Sequence, residues 1–511
     1  MLKKILINSY PWLTRVAVLR NNKLQDIYFD SHSKKELEKC FFKGKISKVL
    51  PGIQTTFVDI KQERAGFLHI SEIDRALAAE KMPELSDEES IGSANFAHAL
   101  KQAMDIGKIF KEGEEVLVQV IKEPVYEKGA KLTTCFTLPG KLVVLMPNIP
   151  QIGISKKIES KEERTRLREI ISKNLPAGMG AILRTTAEGR TEKDINHDLS
   201  LLISTWKSIQ KRFKTATIGE MIHEDLPITL RAIREHLDDD IEAVLIDSVE
   251  DQKAVYKFVK NAMPEQISKI KLYEAPNSLF AQFDIDKQIN EALQKKVILK
   301  SGGSLIIEST EAMTVIDVNT GRYIGKSNLE ETILKTNLEA AEEIIRQLRL
   351  RNIGGIIVID FIDMANQTNK QKLSRFLEKT SREQDKLQSV ALKVSEFGLI
   401  QMTRKRTGKT LVHQLMNECP MCHGAGFIKS TNTISCEILK KFYTAMQKQQ
   451  TTGNIILSVP NKIFDYLIHN EFQSIIRLEK LLHNKIILES NERLEDTEFA
   501  IFPQKDKKSN S

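Results

Sequence analysis

Residues 313–364 read MTVIDVNTGRYIGKSNLEETILKTNLEAAEEIIRQLRLRNIGGIIVIDFIDM, and this stretch decides the fold of the chain's central part. Two apolar β-runs, TVID and IVID, each end on an aspartate, Asp317 and Asp360. Between them Ser327 and Glu330 have the S-x-x-E spacing of a capping box. Leu334, Leu338, Ala341, Ile345 and Leu348 then recur at alternating four- and three-residue steps, which puts them on one face of a helix. Gly354-Gly355 is expected to end that helix. Strand, crossover helix and strand make two parallel neighbours. Their carboxyl ends share one edge of the sheet, where open α/β sheets keep their sites. The apolar run IIVIDF (356–361) predicts a buried strand.

Chemistry follows from that placement. Asp317 and Asp360 project together, and Asn319, two residues on, shares Asp317's side of its strand. Two carboxylates and a neutral amide suit a hard divalent cation such as Mg²⁺, which prefers oxygen ligands and keeps several waters. Such an ion polarises a phosphodiester and acidifies an attacking water. A single strand-end Asp is more often a cap for the next turn; the pair with Asn319 favours the metal. Asp363 reads equally as a turn residue. Gly321 to Ser327 imitates a phosphate-binding loop, but three residues separate its glycines where that loop needs four.

Composition sets the frame around this core. With 511 residues, 41% apolar and 28% charged, the chain builds several domains and is neither fibrous nor a disordered scaffold. A net charge of +8 permits an anionic partner without demanding one. Five cysteines, mostly far apart, are not a disulfide framework and point to a reducing, cytoplasmic compartment. No apolar run approaches the roughly 18 residues of a membrane span, and the N-terminus lacks a signal-peptide core.

Upstream, residues 1–37 read as two strands about an Asn-Asn turn. Short strands punctuated by Gly44, Pro51-Gly52, Gly66 and Gly113 predict a small β-barrel over 38–135, interrupted by an acidic, Ser-rich loop near 78–103. In GAILRTTAEGR (180–190) a strand ends on Arg184 and Thr185, where a guanidinium fork and a hydroxyl suit a terminal phosphate. Downstream, Arg404, Lys405 and Arg406 form the clearest basic cluster, either a solvated face or a grip on a nucleic-acid backbone. Cys419-Pro-Met-Cys422 has zinc-ligand spacing. Two completions are open: a Cys₄ site shared by two protomers, or one closed within the chain by His413, His423 or Cys436. A redox pair normally opens a helix in a thioredoxin-like βαβ setting, and the Gly-rich context argues against it.

The stretch VIDVNTGRYIGKSNLEETILKTNLEAAEEIIRQLRLRNIGGIIVIDFIDM (315–364), with MTRKRT (402–407) and NECPMCHGAG (417–426), resembles the ribonuclease E/G family, most closely its ribonuclease G branch. The resemblance runs over about 1–505. It implies that Asp317 and Asp360 bind catalytic Mg²⁺, that Asn319 positions Asp360, and that single-stranded RNA is cut endonucleolytically to a 5′-phosphate and a 3′-hydroxyl. The implied roles are ribosomal RNA 5′ maturation and messenger RNA turnover. The barrel resembles an S1 domain of the OB-fold class, with Phe57 and Phe67 as base-stacking residues and Lys122, Lys128 and Lys131 along the strand path. Arg184 and Thr185 match the pair that binds a 5′-monophosphate, and Cys419 and Cys422 match the zinc-linked homodimer.

The expected architecture is multidomain α/β and β. An S1 (OB-fold) barrel (38–135) is inserted in an RNase H-like domain (1–37 and 228–293), with a 5′-end-sensing region at 136–227. A DNase I-like α/β catalytic domain (294–415), a zinc knuckle (416–430) and a small α/β tail domain (431–511) follow. A noncatalytic S1-domain RNA-binding protein is the alternative, keeping the aromatics and basic residues but needing neither aspartate.

Overall fold

The computed structural model describes residues 3–31, 36–74, 77–78, 81, 105–124, 129–320, 329–395, 398–449, 453–495 and 497–504. The phosphate-loop mimic with Ser327, Lys128, and all of the acidic insertion but Ala78 and Lys81 lie outside the described residues. Contacts divide the chain into two units, Met1–Gln414 and Leu415–Ser511.

In the first unit, strands Lys3–Tyr10, Leu13–Arg20 and Lys23–Ser31 form an antiparallel meander. Asn21 and Asn22, both with positive φ, turn the second hairpin. Ile241–Ile246 and Ile270–Leu272 extend the sheet in parallel beyond Lys3–Tyr10. The chain between Ser31 and Ile241 is therefore an excursion from this sheet. Its first part pairs Phe41–Leu50, Thr55–Asp59, Gly66–His69, Lys131–Thr133 and Glu115–Lys122 in that order, and the last pairs again with the first. This closes a five-stranded barrel around Phe42, Ile46, Val58, Leu68, Val118 and Leu132. Its second part is a small sheet that ends on Gly180–Leu183 and packs on the helix Glu192–Thr215, which starts on a Thr191–Asp194 capping box.

The central sheet runs Lys296–Ile298, Ser304–Ser309, Met313–Asn319, Gly355–Asp360, Leu399–Arg404, Ser389–Ala391. Its middle pair is parallel, as the crossover requires, and Asp317 stands directly opposite Asp360. One face packs Leu305, Ile316, Ile357, Ile359 and Ile400 against Ala341, Ile345, Leu348, Leu373 and Leu377 of helices Leu329–Leu350 and Gln367–Gln384. The helix stripe expected from the sequence is this core face. Each large aliphatic side chain so buried contributes about 1.5–3 kcal/mol, and a one-residue slip would move the whole set to solvent.

Two expectations change. The run IIVIDF is covered on one face only: Ile357 and Ile359 are buried, while Ile356 is 50% exposed. Both crossover helices lie on one side of this mixed sheet. The helix also ends before its glycines. Asn352 adopts the left-handed conformation (φ 50°), and the Asn352 and Ile353 amides donate to the carbonyls of Arg349 and Leu348. Gly355 (φ +101°) serves another purpose, since a Cβ there would lie 2.5 Å from Nε of Arg406.

The second unit is a small α/β layer. Ile455–Val459 lies between parallel Ile486–Ser490 and antiparallel Ala500–Pro503, and packs with the helices Thr431–Gln449, Asn461–Asn470 and Phe472–Leu482 around Phe442, Leu457 and Ile463. Among the described residues no helix is long and apolar enough to cross a membrane.

Candidate active site

Asp317 and Asp360 lie on the face of the central sheet that carries no helix among the described residues, both exposed, at directly paired positions of neighbouring strands. The Asp360 carboxyl is pushed above the usual carboxylate range, first by partial burial, then by the like charges of Asp317 and Asp363. Asn319 donates from Nδ2 to Oδ2 of Asp317 at 2.7 Å. It thus holds Asp317, not Asp360, the carboxylate the resemblance assigned to it, because two residues along one strand keep both side chains on one face. The donor set is oxygen-rich and anionic, which fits a hard cation. Among the described residues no group of three or more His, Cys, Asp or Glu is gathered to hold a metal.

Sequence reading missed what steadies this pair. Asn337 is fully buried in the crossover helix. It donates to the Ile362 carbonyl at 2.8 Å and accepts from the Ile362 amide at 3.1 Å, clamping the chain just beyond Asp360. The available signal was an amide beside an otherwise apolar helical stripe. A buried amide keeps its place only when its donors and acceptors are met.

On the barrel, the ladder places Lys48, Phe57, Phe67, Lys131 and Lys122 side by side across five strands. The two expected aromatics are direct cross-strand partners and half-buried, with lysines on either side. Lys131 pairs with Glu72, whereas Lys122 and Lys48 are exposed. Lys48 was not foreseen. A register shift between Ile46 and Lys48 turns it onto the aromatic face.

Arg184 follows the strand Gly180–Leu183, and Thr185 begins the next turn, its Oγ1 2.9 Å from Oγ of Ser155. The guanidinium donates from Nη1 to the Gly140 carbonyl at 2.9 Å and grips the Glu235 carboxylate with Nη1 and Nη2. Burial alone would raise Glu235, but the Arg184 hydrogen bonds and charge, with Arg234 and Lys386, bring it down to about 2.

The basic cluster divides. Arg404 is not a backbone grip: it is 5% exposed, with Nε and Nη2 on Asp385 at 2.6 and 3.1 Å and Nη1 on the Ile353 carbonyl at 2.6 Å. Strand alternation turns Arg404 inward with Met402, while Lys405 and Arg406, beyond the strand end, are exposed.

In the second unit Cys419 and Cys422 lie in a turn closed by the His423 amide on the Cys419 carbonyl (2.8 Å) and the Ala425 amide on the Cys422 carbonyl (2.8 Å). Amides of Cys422 and Met421 bring the Cys419 thiol below its usual range, favouring the thiolate that metals bind. The next helix begins at Thr431, so this turn does not open a helix as a redox pair would.

Residues 137–407 match the family model described as "Ribonuclease E/G family", and residues 418–506 match "RNase E/G, Thioredoxin-like domain". Ribonuclease G of Escherichia coli (strain K12) is 37% identical over 444 residues, 86% of this chain and 87% of that protein. Ribonuclease G of Haemophilus influenzae is 34% identical over 499 residues, covering 98% and 99%. Ribonuclease E of Haemophilus influenzae is 36% identical over 508 residues, 99% of this chain but 52% of that protein. The chain belongs to the ribonuclease E/G family.

Proposed function

We propose that this chain is an endoribonuclease that hydrolyses single-stranded RNA with Mg²⁺, leaving a 5′-phosphate and a 3′-hydroxyl. Its family makes it a phosphodiester hydrolase. The observation that carries the catalytic reading is the direct pairing of Asp317 with Asp360 on an uncovered sheet face. Paired like charges hold protons or cations, and a hard divalent ion relieves their repulsion best. Bound there, Mg²⁺ supplies positive charge for the phosphodiester and an acidified water. Asn319 orients Asp317, and Asn337 fixes the chain behind Asp360. Asp317 and Asp360 would hold the ion with two carboxylates, and Mg²⁺ so held would keep several of its waters.

The other surfaces serve the same substrate. Phe57 and Phe67 stack bases, and Lys122, Lys405 and Arg406 take phosphates. Arg184 and Thr185 favour RNA with a 5′-monophosphate. The meander sheet reads as RNase H-like, the barrel as an S1 domain and the central sheet as DNase I-like. Cys419 and Cys422 supply half of a tetrahedral zinc site, so a second protomer completes it. Maturation of ribosomal RNA 5′ ends and turnover of messenger RNA are the roles this specificity fits.

A labelled single-stranded RNA tests the reading. Cleavage is expected in Mg²⁺ and lost in Asp317→Asn, which still binds the RNA. Wild-type cutting by Asp317→Asn overturns the assignment, and binding without cleavage by the unaltered chain leaves a noncatalytic RNA-binding protein. The double variant Cys419→Ser/Cys422→Ser is expected to sediment as a monomer; an intact dimer removes the zinc link.

A further inference from the structure

Arg184 is only partly committed. A guanidinium carries five N–H donors. Gly140 and Glu235 together take both protons of Nη1 and one of Nη2. The Nε proton and the outer Nη2 proton have no protein acceptor among the described residues. They lie on one edge of the planar group and form a second fork, and a two-pronged donor of this kind matches two oxygens of a phosphate. A quarter of the side chain remains exposed.

We propose that Glu235 is a positioning residue of the 5′-phosphate pocket: it seizes the far end of the Arg184 guanidinium and so presents the Nε/Nη2 edge to the terminal phosphate. This rests on the reading of Arg184 as the phosphate ligand. A long, flexible side chain held at its tip loses little further freedom when the phosphate arrives. The negative charge of Glu235 does not cancel the pocket. Nε of Arg234 lies 3.3 Å from Oε1 of Glu235, and Lys386 donates to the Glu235 carbonyl; with Asp225 on Arg234 counted as well, Arg184, Arg234 and Lys386 still outnumber the two carboxylates. Glu235 is 51 residues from Arg184 and at the end of the helix Ile228–His236. The alternative use of such a carboxylate is as a competitor that the phosphate must displace. The open edge argues against it, since nothing needs to leave.

The test compares two RNAs of one sequence, one with a 5′-monophosphate and one with a 5′-hydroxyl, and reads the ratio of their kcat/KM values. A general loss of folded enzyme lowers both rates together and leaves the ratio unmoved. Arg184→Ala is expected to bring the ratio close to one. Glu235→Gln is expected to lower it about tenfold, the loss of one well-aligned charge-assisted contact, mainly through KM. Glu235→Asp, which keeps a carboxylate, recovers part of the ratio, and Arg184→Ala/Glu235→Gln matches Arg184→Ala alone. An unchanged or increased ratio in Glu235→Gln, with Arg184→Ala at one, overturns the positioning role and leaves the pocket standing. A wild-type ratio in Arg184→Ala, or no preference in the unaltered chain, removes the pocket itself and the inference with it.

Discussion

The central sheet carries two charged pairs on its opposite faces. On the open face Asp317 and Asp360 set like charge against like at paired positions. On the covered face, one strand beyond, Arg404 meets the opposite charge of Asp385, at the end of the helix Gln367–Gln384, their side chains 3% and 2% exposed, with Nη1 on the Ile353 carbonyl. The sealed pair satisfies itself and locks the last strands of the sheet. The open pair leaves a concentration of negative charge that only a proton or a cation relieves. One sheet thus separates the electrostatics that holds it together from the electrostatics that it keeps for work.

Variants of each pair test this contrast. The largest effect is expected at the open pair: Asp360→Asn should lower cleavage by about 10²-fold or more, the several kcal/mol that a bound cation supplies. With chelator present its melting temperature should be no lower than that of the parent, since a repulsion is removed. A marked loss of stability would make the open pair structural after all. At the sealed pair, Arg404→Ala should cost about 3–5 kcal/mol in denaturant unfolding, because it strands a buried carboxylate. Replacing both partners, Arg404→Met with Asp385→Leu, should recover much of that. A cost below about 1 kcal/mol for Arg404→Ala would erase the contrast.

Smaller effects follow. Phe57→Ala should weaken RNA binding by about 1–3 kcal/mol in filter or anisotropy titrations, and Phe67→Ala likewise, with little change in melting temperature. Normal RNA affinity with a markedly lowered melting temperature would place the rings in the core. The smallest is a pH effect in chelator. The folded-state affinity of Asp360 for its proton is raised, so the folded protein binds more protons than the unfolded chain as pH rises past the usual carboxylate value. Stability should decline slightly over that window in the parent and less in Asp360→Asn. An identical slope in both would show that the repulsion is not felt.

Local pattern made much of this legible. The parallel pairing of TVID and IVID followed from the crossover rule, and the buried stripe of the helix between them from its period. What stayed hidden was set by distance in sequence or by covered faces. Nothing near Arg184 announces Glu235, and the acidic neighbour visible in its own loop, Glu188, is exposed and does not pair with it. The RKR cluster looked uniform, yet the end of a strand divides it into one inward and two outward side chains. The apolar run of 356–361 suggested two covered faces, because composition cannot say on which side the helices lie. Lys48 needed a bulge that has no strong residue signature.

Asn337 has a further consequence. The Ile362 amide lies outside any strand, yet its acceptor belongs to a fully buried side chain inside a 22-residue helix. Its exchange with solvent deuterium must wait for that helix to open. A stretch of chain that looks like a loop therefore keeps the clock of the core, and the aspartate on either side of it inherits that patience.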